Sequence, residues 1–180
     1  MATRRPCTCL PYTVKALATC MANSRVGAST STNPYCRAGY YSGATAGTAQ
    51  ATSNITGNGI TAGPDDVIVT NGGVSGIFSA LGSMVDPGDE VLIPDPSWPN
   101  YLQMTRLLNA VPVHYPLRLE HDLVPTIEDI EACITPRTRV LVVNSPGNPS
   151  GALIPPQRLR ELYELAQRHD LWVISDEVYD

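Results

Sequence analysis

The 180-residue sequence predicts an α/β protein, a three-layer sandwich with a mainly parallel sheet, over residues 65–180. Three observations predict it. Segments of strand character alternate with segments of helical spacing, the rhythm of parallel strands joined by right-handed crossovers. Residues 140–143 read Val-Leu-Val-Val with no polar alternation, as expected of a strand buried on both faces. Turn-forming and acidic residues follow strand after strand, at the ends where ligands bind in such sheets.

Each element follows in order. "DDVIVTNGG" is a short apolar run closing on Asn-Gly-Gly, which predicts a strand and a turn. "VSGIFSALGSMV" spaces Ile77, Leu81 and Met84 or Val85 as one helix face. "DPGDEVLIP" predicts a turn and a second strand, and "SWPNYLQMTRLLN" the next helix. "AVPVHYPL" is a third strand whose prolines weaken it. "TIEDIEACI" places Ile127, Ile130 and Ile134 on one face, with Thr126 and Asp129 in a capping-box-like start. "TRVLVVNSP" is the clearest strand. In "PPQRLRELYELAQRHD" the apolar stripe is Leu159, Leu162, Tyr163 and Ala166, with prolines at the helix start. "LWVIS" is the last strand, and it delivers Asp176, Glu177 and Tyr179.

Composition divides the chain. Residues 1–64 hold Arg4, Arg5, Lys15, Arg25 and Arg37 and no acid, whereas all 17 acids fall in 65–180 against seven arginines, so the two parts carry +5 and −10. The first part is rich in Ser, Thr, Ala and Gly and shows no sustained period. Its Arg- and Ser-rich, acid-poor character is that of a transit peptide, but it contains no clear amphipathic helix. Residues 1–64 therefore read as a divergent or poorly ordered N-terminal segment. Cys7, Cys9, Cys20 and Cys36 lack the spacing of a zinc site, and no secretory signal supports a disulfide framework. With a net charge of −5 and no long apolar run, neither a nucleic-acid surface nor a membrane span is expected. No metal site is expected either, since His114, His121 and His169 join no ligand constellation.

The residues just after the strands are Asn71-Gly72-Gly73-Val74, Asp95-Pro96-Ser97-Trp98, Asn144 to Gly151, and Asp176-Glu177-Val178-Tyr179. Each alone is ordinary turn or cap chemistry. Together, "NSPGNPSG" and "VISDEVY", with "PSWPNY" and "VIVTNGGVSGIFSAL" in order upstream, resemble the class I and II aminotransferases, pyridoxal-phosphate enzymes of fold type I. The resemblance covers residues 65–180 and implies part of the large, cofactor-binding domain. It implies that Gly72, Gly73 and Val74 offer amides to the cofactor phosphate, that Trp98 stacks on the pyridine ring, and that Asn148 and Tyr179 hydrogen-bond its phenolic oxygen. Asp176 is expected to pair with the protonated ring nitrogen, keeping the ring an effective electron sink. The resemblance also implies cis bonds at Asp95–Pro96 and Asn148–Pro149. Val74 departs from the pattern, since many relatives have a hydroxyl there; Ser75 is next to it.

The family's Schiff-base lysine is not matched: the only lysine is Lys15. The expectation is therefore an incomplete copy of a longer enzyme, with no catalytic residue in this chain and no activity alone. Amino acid and 2-oxo acid substrates, a cytoplasmic location, and a homodimer for the parent are implied by the resemblance. The same scaffold serves lyases, decarboxylases and synthases, and it serves sensor domains of transcription regulators, although residues 1–64 show no helix-turn-helix pattern. A plain nucleotide-binding domain lacks support, because no G-x-G-x-x-G follows the first strand.

Overall fold

The computed structural model describes residues 16–21, 39–40, 68, 70 and 72–179. Its elements are β1 (Ala16–Met21), β2 (Gly39–Tyr40), α1 (Gly73–Met84), β3 (Glu90–Asp95), α2 (Pro99–Leu107), β4 (Val111–Pro116), a 3-10 turn (Leu119–His121), α3 (Ile127–Glu131), β5 (Thr138–Asn144), α4 (Pro156–Arg168) and β6 (Trp172–Asp176). The strands form one sheet in the order β2-β1-β6-β5-β3-β4, and every pairing is parallel. The order shows why the crossovers are needed, since parallel neighbours cannot be joined by a hairpin.

The alternation of side chains along a strand divides the core in two. On one face Val91, Ile93, Val140, Val142 and Ile174 pack against Ile77 and Leu81 of α1 and Tyr101 and Met104 of α2. On the other, Leu92, Leu141, Val143 and Val173 pack against Ile130 of α3 and Leu159, Leu162 and Leu165 of α4. The three layers are thus α1 and α2, the sheet, and α3 and α4. Among the described residues no helix is long and apolar enough to cross a membrane.

The helix boundaries have local causes. α2 and α4 both carry proline in the first turn, where its missing N–H costs no hydrogen bond. Both end before a short polar residue in the left-handed region, Asn109 (φ 56°) and Asp170 (φ 53°). The Thr126 hydroxyl accepts the Asp129 N–H at 3.1 Å, as its sequence pattern suggests. α3 is nevertheless shorter than its isoleucine spacing predicts. After Glu131 the chain tightens, with the N–H groups of Cys133 and Ile134 donating three residues back, and Pro136 follows.

The strand expected at 66–70 lies largely outside the described residues. Ile68 and Thr70, which are described, belong to no strand, and Ile68 is 76% exposed. The position beside β6 is taken by β1, with Thr19 opposite Asp176. The sheet thus draws two strands from the N-terminal part that composition sets apart. Among the described strands β4 lies at the sheet edge, where Pro112 and Pro116 are tolerated because one side of the strand has no described neighbour to bond.

Candidate functional site

β5 and β6 end side by side, with Asn144 opposite Asp176. Strand parity puts Asn144 on the face of Val140 and Val142, and Asp176 on the face of Ile174, so both turn towards α2. There they meet Trp98, the residue that opens α2, and Tyr101, one turn further on. Trp98, Tyr101, Asn144, Asn148, Asp176, Val178 and Tyr179 line a hollow of about 120 Å³ beyond the strand ends.

Asp176 forms its floor and is only 2% exposed. Its Oδ2 accepts a short hydrogen bond from the Tyr101 hydroxyl, and its Oδ1 accepts the Val178 N–H at 3.2 Å. Burial pushes its carboxyl above the ordinary range, and these two bonds pull in the opposite direction. Among the described residues no cationic side chain lies within ion-pairing distance of it. Burial pushes the Tyr101 phenol far above its usual value, and the Asp176 charge adds to this, so Tyr101 stays a donor. The rings of Tyr101 and Trp98 meet edge to face, with centroids 5.4 Å apart.

The loop after β5 is held by side chains as well as backbone. The Asn144 amide donates to the Asp176 carbonyl at 2.9 Å, and its oxygen accepts the Asn148 N–H at 2.7 Å. The Asn148 amide in turn donates to the Tyr179 hydroxyl at 3.2 Å. Further along, Ser145 Oγ accepts the Ile154 N–H at 3.0 Å, and Gly147 exchanges backbone bonds with Gly151 and Ala152. Among the described residues three bonds to proline are cis: Asp95–Pro96 and Asn148–Pro149, both expected, and Ser145–Pro146, for which no expectation was stated.

Of the seven residues singled out in the sequence, Trp98, Asn148, Asp176 and Tyr179 share this hollow. Gly72, Gly73 and Val74 do not line it; they form the N-terminus of α1. Gly72 caps that helix at φ 89° and ψ 147°, a conformation only glycine adopts readily. Gly73 is buried and Val74 is 45% exposed. Tyr101 went unassigned in the sequence reading. Its signal was available: Tyr101, Met104, Thr105 and Leu108 repeat at helical spacing, which aims Tyr101 at the sheet.

Comparison with known proteins decides the family. The family model "Aminotransferase class I and II" matches residues 10–180. The chain belongs to the class I and II aminotransferases. The match begins well inside the compositionally distinct N-terminal part, which also supplies β1 and β2. This aminotransferase-family chain is 44% identical over 123 residues to a probable aspartate/prephenate aminotransferase of Thermus aquaticus, covering 68% of the chain and 32% of the relative. It is 40% identical over 124 residues to a bifunctional aspartate aminotransferase and glutamate/aspartate-prephenate aminotransferase of Petunia hybrida, covering 68% and 26%. Among solved structures it resembles the aspartate aminotransferase of Thermus thermophilus with maleate, at a TM-score of 0.69 and 41% identity, over 73% of this chain and 34% of that one. An alanine aminotransferase from Pyrococcus furiosus gives 0.67 and 40%, over 70% and 32%. The chain spans about a third of the length of the curated relatives it matches. Its family generally depends on pyridoxal phosphate.

Proposed function

We propose that the hollow holds the ring of pyridoxal 5′-phosphate and that this chain supplies the ring-binding part of an aminotransferase, which transfers an amino group between an amino acid and a 2-oxo acid on a Schiff-base lysine that residues 1–180 do not match. The observation that carries this reading is Asp176. A carboxylate so deeply buried is costly unless a cation meets it, and the described residues supply none. A protonated pyridine nitrogen is a flat, apolar-flanked cation that suits both this carboxylate and the neighbouring aromatic surface.

Each residue then has a defined task. Asp176 holds a proton at the ring nitrogen. Trp98 presents a flat surface to the ring face. Asn148 and Tyr179, already bonded to each other, turn toward the phenolic oxygen as donors. Gly73 and Val74 offer the first amides of α1 to the phosphate, where the helix dipole favours an anion, and Gly72, whose N–H here donates to the Thr70 carbonyl at 3.2 Å, joins them by turning from that bond. Val74 brings no hydroxyl to that group, so its contribution is restricted to the amide. When bound, the cofactor supplies an electron sink for charge developing on the substrate carbon.

Amino acid and 2-oxo acid substrates, a cytoplasmic location and a homodimeric assembly of the parent enzyme belong to the same proposal. The relatives' own names differ, aspartate and prephenate in some and alanine in another, and every task assigned above is toward the cofactor.

The test is titration of the purified chain with pyridoxine 5′-phosphate, which keeps the ring, phenol and phosphate but has no aldehyde to react with amines. Saturable quenching of tryptophan fluorescence is expected, weakened about thirtyfold or more in Asp176→Ala by loss of the charge partner. Absence of binding, or equal binding by the variant, would overturn the reading.

A further inference from the structure

We propose that Tyr101 is a positioning residue of this site, whose phenol favours the ionised form of the Asp176 carboxylate and fixes it in one orientation before any ligand arrives. The inference deepens the proposed function and rests on it for the identity of the ligand, an aromatic nitrogen cation.

The geometry is specific. Tyr101 and Asp176 are 75 positions apart and come from different layers, yet both are almost wholly buried. Tyr101 cannot swing away easily. Its carbonyl accepts the hydroxyl of buried Thr105 at 2.8 Å, its N–H donates to the Trp98 carbonyl, and its ring packs against Trp98. Among the described residues, the bond it gives Asp176 is the one side-chain contact that opposes the effect of burial there; the other opposing contact is the Val178 N–H. The two donors take one oxygen each, which fixes the carboxylate plane.

The surroundings leave little else to set that charge. Tyr179, from the segment after β6, is the other titratable group lining the hollow, whereas Trp98 from α2 and Asn144 and Asn148 after β5 are neutral. Glu177 follows on the opposite parity, where its carboxylate accepts the Ser175 hydroxyl at 2.9 Å. Among the described residues no lysine, arginine or histidine lines the hollow. A carboxylate without the Tyr101 bond would take up a proton more readily, and a protonated acid no longer attracts a ring cation. Tyr101 therefore keeps the proton on the ligand side of the contact.

The test is Tyr101→Phe in the full chain, with the Asp176 carboxyl titrated by carbon NMR without ligand. A charged acceptor that loses such a donor should bind its proton about tenfold more tightly, or more. Tyr115→Phe is the control, because that phenol is equally buried but donates to the Val142 carbonyl. It should leave Asp176 unmoved. An Asp176 titration unchanged in Tyr101→Phe, or moved as far in the control, overturns the proposal. Pyridoxine 5′-phosphate is then added to wild type and Tyr101→Phe, with several-fold weaker binding expected in the variant. If wild type ignores the probe while Tyr101→Phe moves the Asp176 titration, the cofactor reading fails and the role of Tyr101 stands. If wild type binds the probe and the titration does not move, the reverse holds.

Discussion

The side chain of Asn144 bridges two strand ends: its amide donates to the Asp176 carbonyl at 2.9 Å while its oxygen accepts the Asn148 N–H at 2.7 Å. One residue thus ties the floor of the hollow to the loop that forms its wall. Asn144→Ala removes both bonds and leaves partly buried backbone groups without these partners. A loss of about 1–3 kcal/mol is expected, read as a lower urea midpoint with an unchanged slope. The same variant should bind pyridoxine 5′-phosphate more weakly, since the Asn148 backbone loses its anchor and only the side-chain bond to Tyr179 remains.

Gly147 has a more restrictive neighbour. A Cβ built there would meet Ser150 Oγ at 2.6 Å, while its next contacts, at 3.6 and 3.7 Å, are ordinary. Ser150 Oγ also accepts the Ala152 N–H at 3.2 Å, so moving it away breaks a loop bond. Gly147→Ala should cost about 1–3 kcal/mol in urea unfolding. The double variant Gly147→Ala with Ser150→Gly relieves the contact and should recover part of that loss. Simple addition of the two single costs would show that the clash is not the cause.

Asp176 predicts an unusual pH dependence of the ligand-free chain. Its carboxyl is raised by burial, so over this window the folded state binds more protons than the unfolded one. Stability must then fall as pH rises from the ordinary aspartate range through the raised folded value. Asp176→Asn should flatten that fall when urea midpoints are compared from acid to neutral pH. An equal slope in both proteins would contradict the assignment.

Asp129 predicts the opposite slope. The Arg118 guanidinium grips its carboxylate with two bonds of 2.8 and 3.0 Å, Thr126 adds another, and together they hold its pKa down at about 2. A depressed folded value stabilises the protein above the unfolded aspartate range, and that contribution disappears as pH falls from about 4 towards 2. Asp129→Asn should remove this part of the acid limb, seen as a shallower loss of thermal stability. Because the pair is exposed, added salt should weaken the effect in the wild type.

Much of this architecture was legible because it is local. The Val140 to Val143 run, the stripe of α4 and the turn residues after each strand report on burial and backbone within a few positions. β1 was not legible, because "ALATCM" has few branched side chains and no polar alternation; its place follows from pairing with β6. β2, with two residues, gives no pattern at all. The ring of His169, just after α4, reaches Glu131 on α3 at 3.2 Å, a contact between elements that no local spacing contains. The site divides in the same way. Trp98, Asn148, Asp176 and Tyr179 each end or follow a strand and could be picked out one by one. Tyr101 acquires its task only where the rotation of α2 meets the parity of β6.

That parity has a consequence for how this chain can vary. A single residue inserted in β6, with its start held in register, would carry Asp176 to the opposite side of the sheet and bring Ser175 beneath Trp98. Point substitutions around the hollow adjust its fit by degrees, whereas a change of length in this strand swaps an acid for an alcohol in one step. Surviving insertions and deletions should therefore collect in the connections and spare the stretch from Trp172 to Asp176.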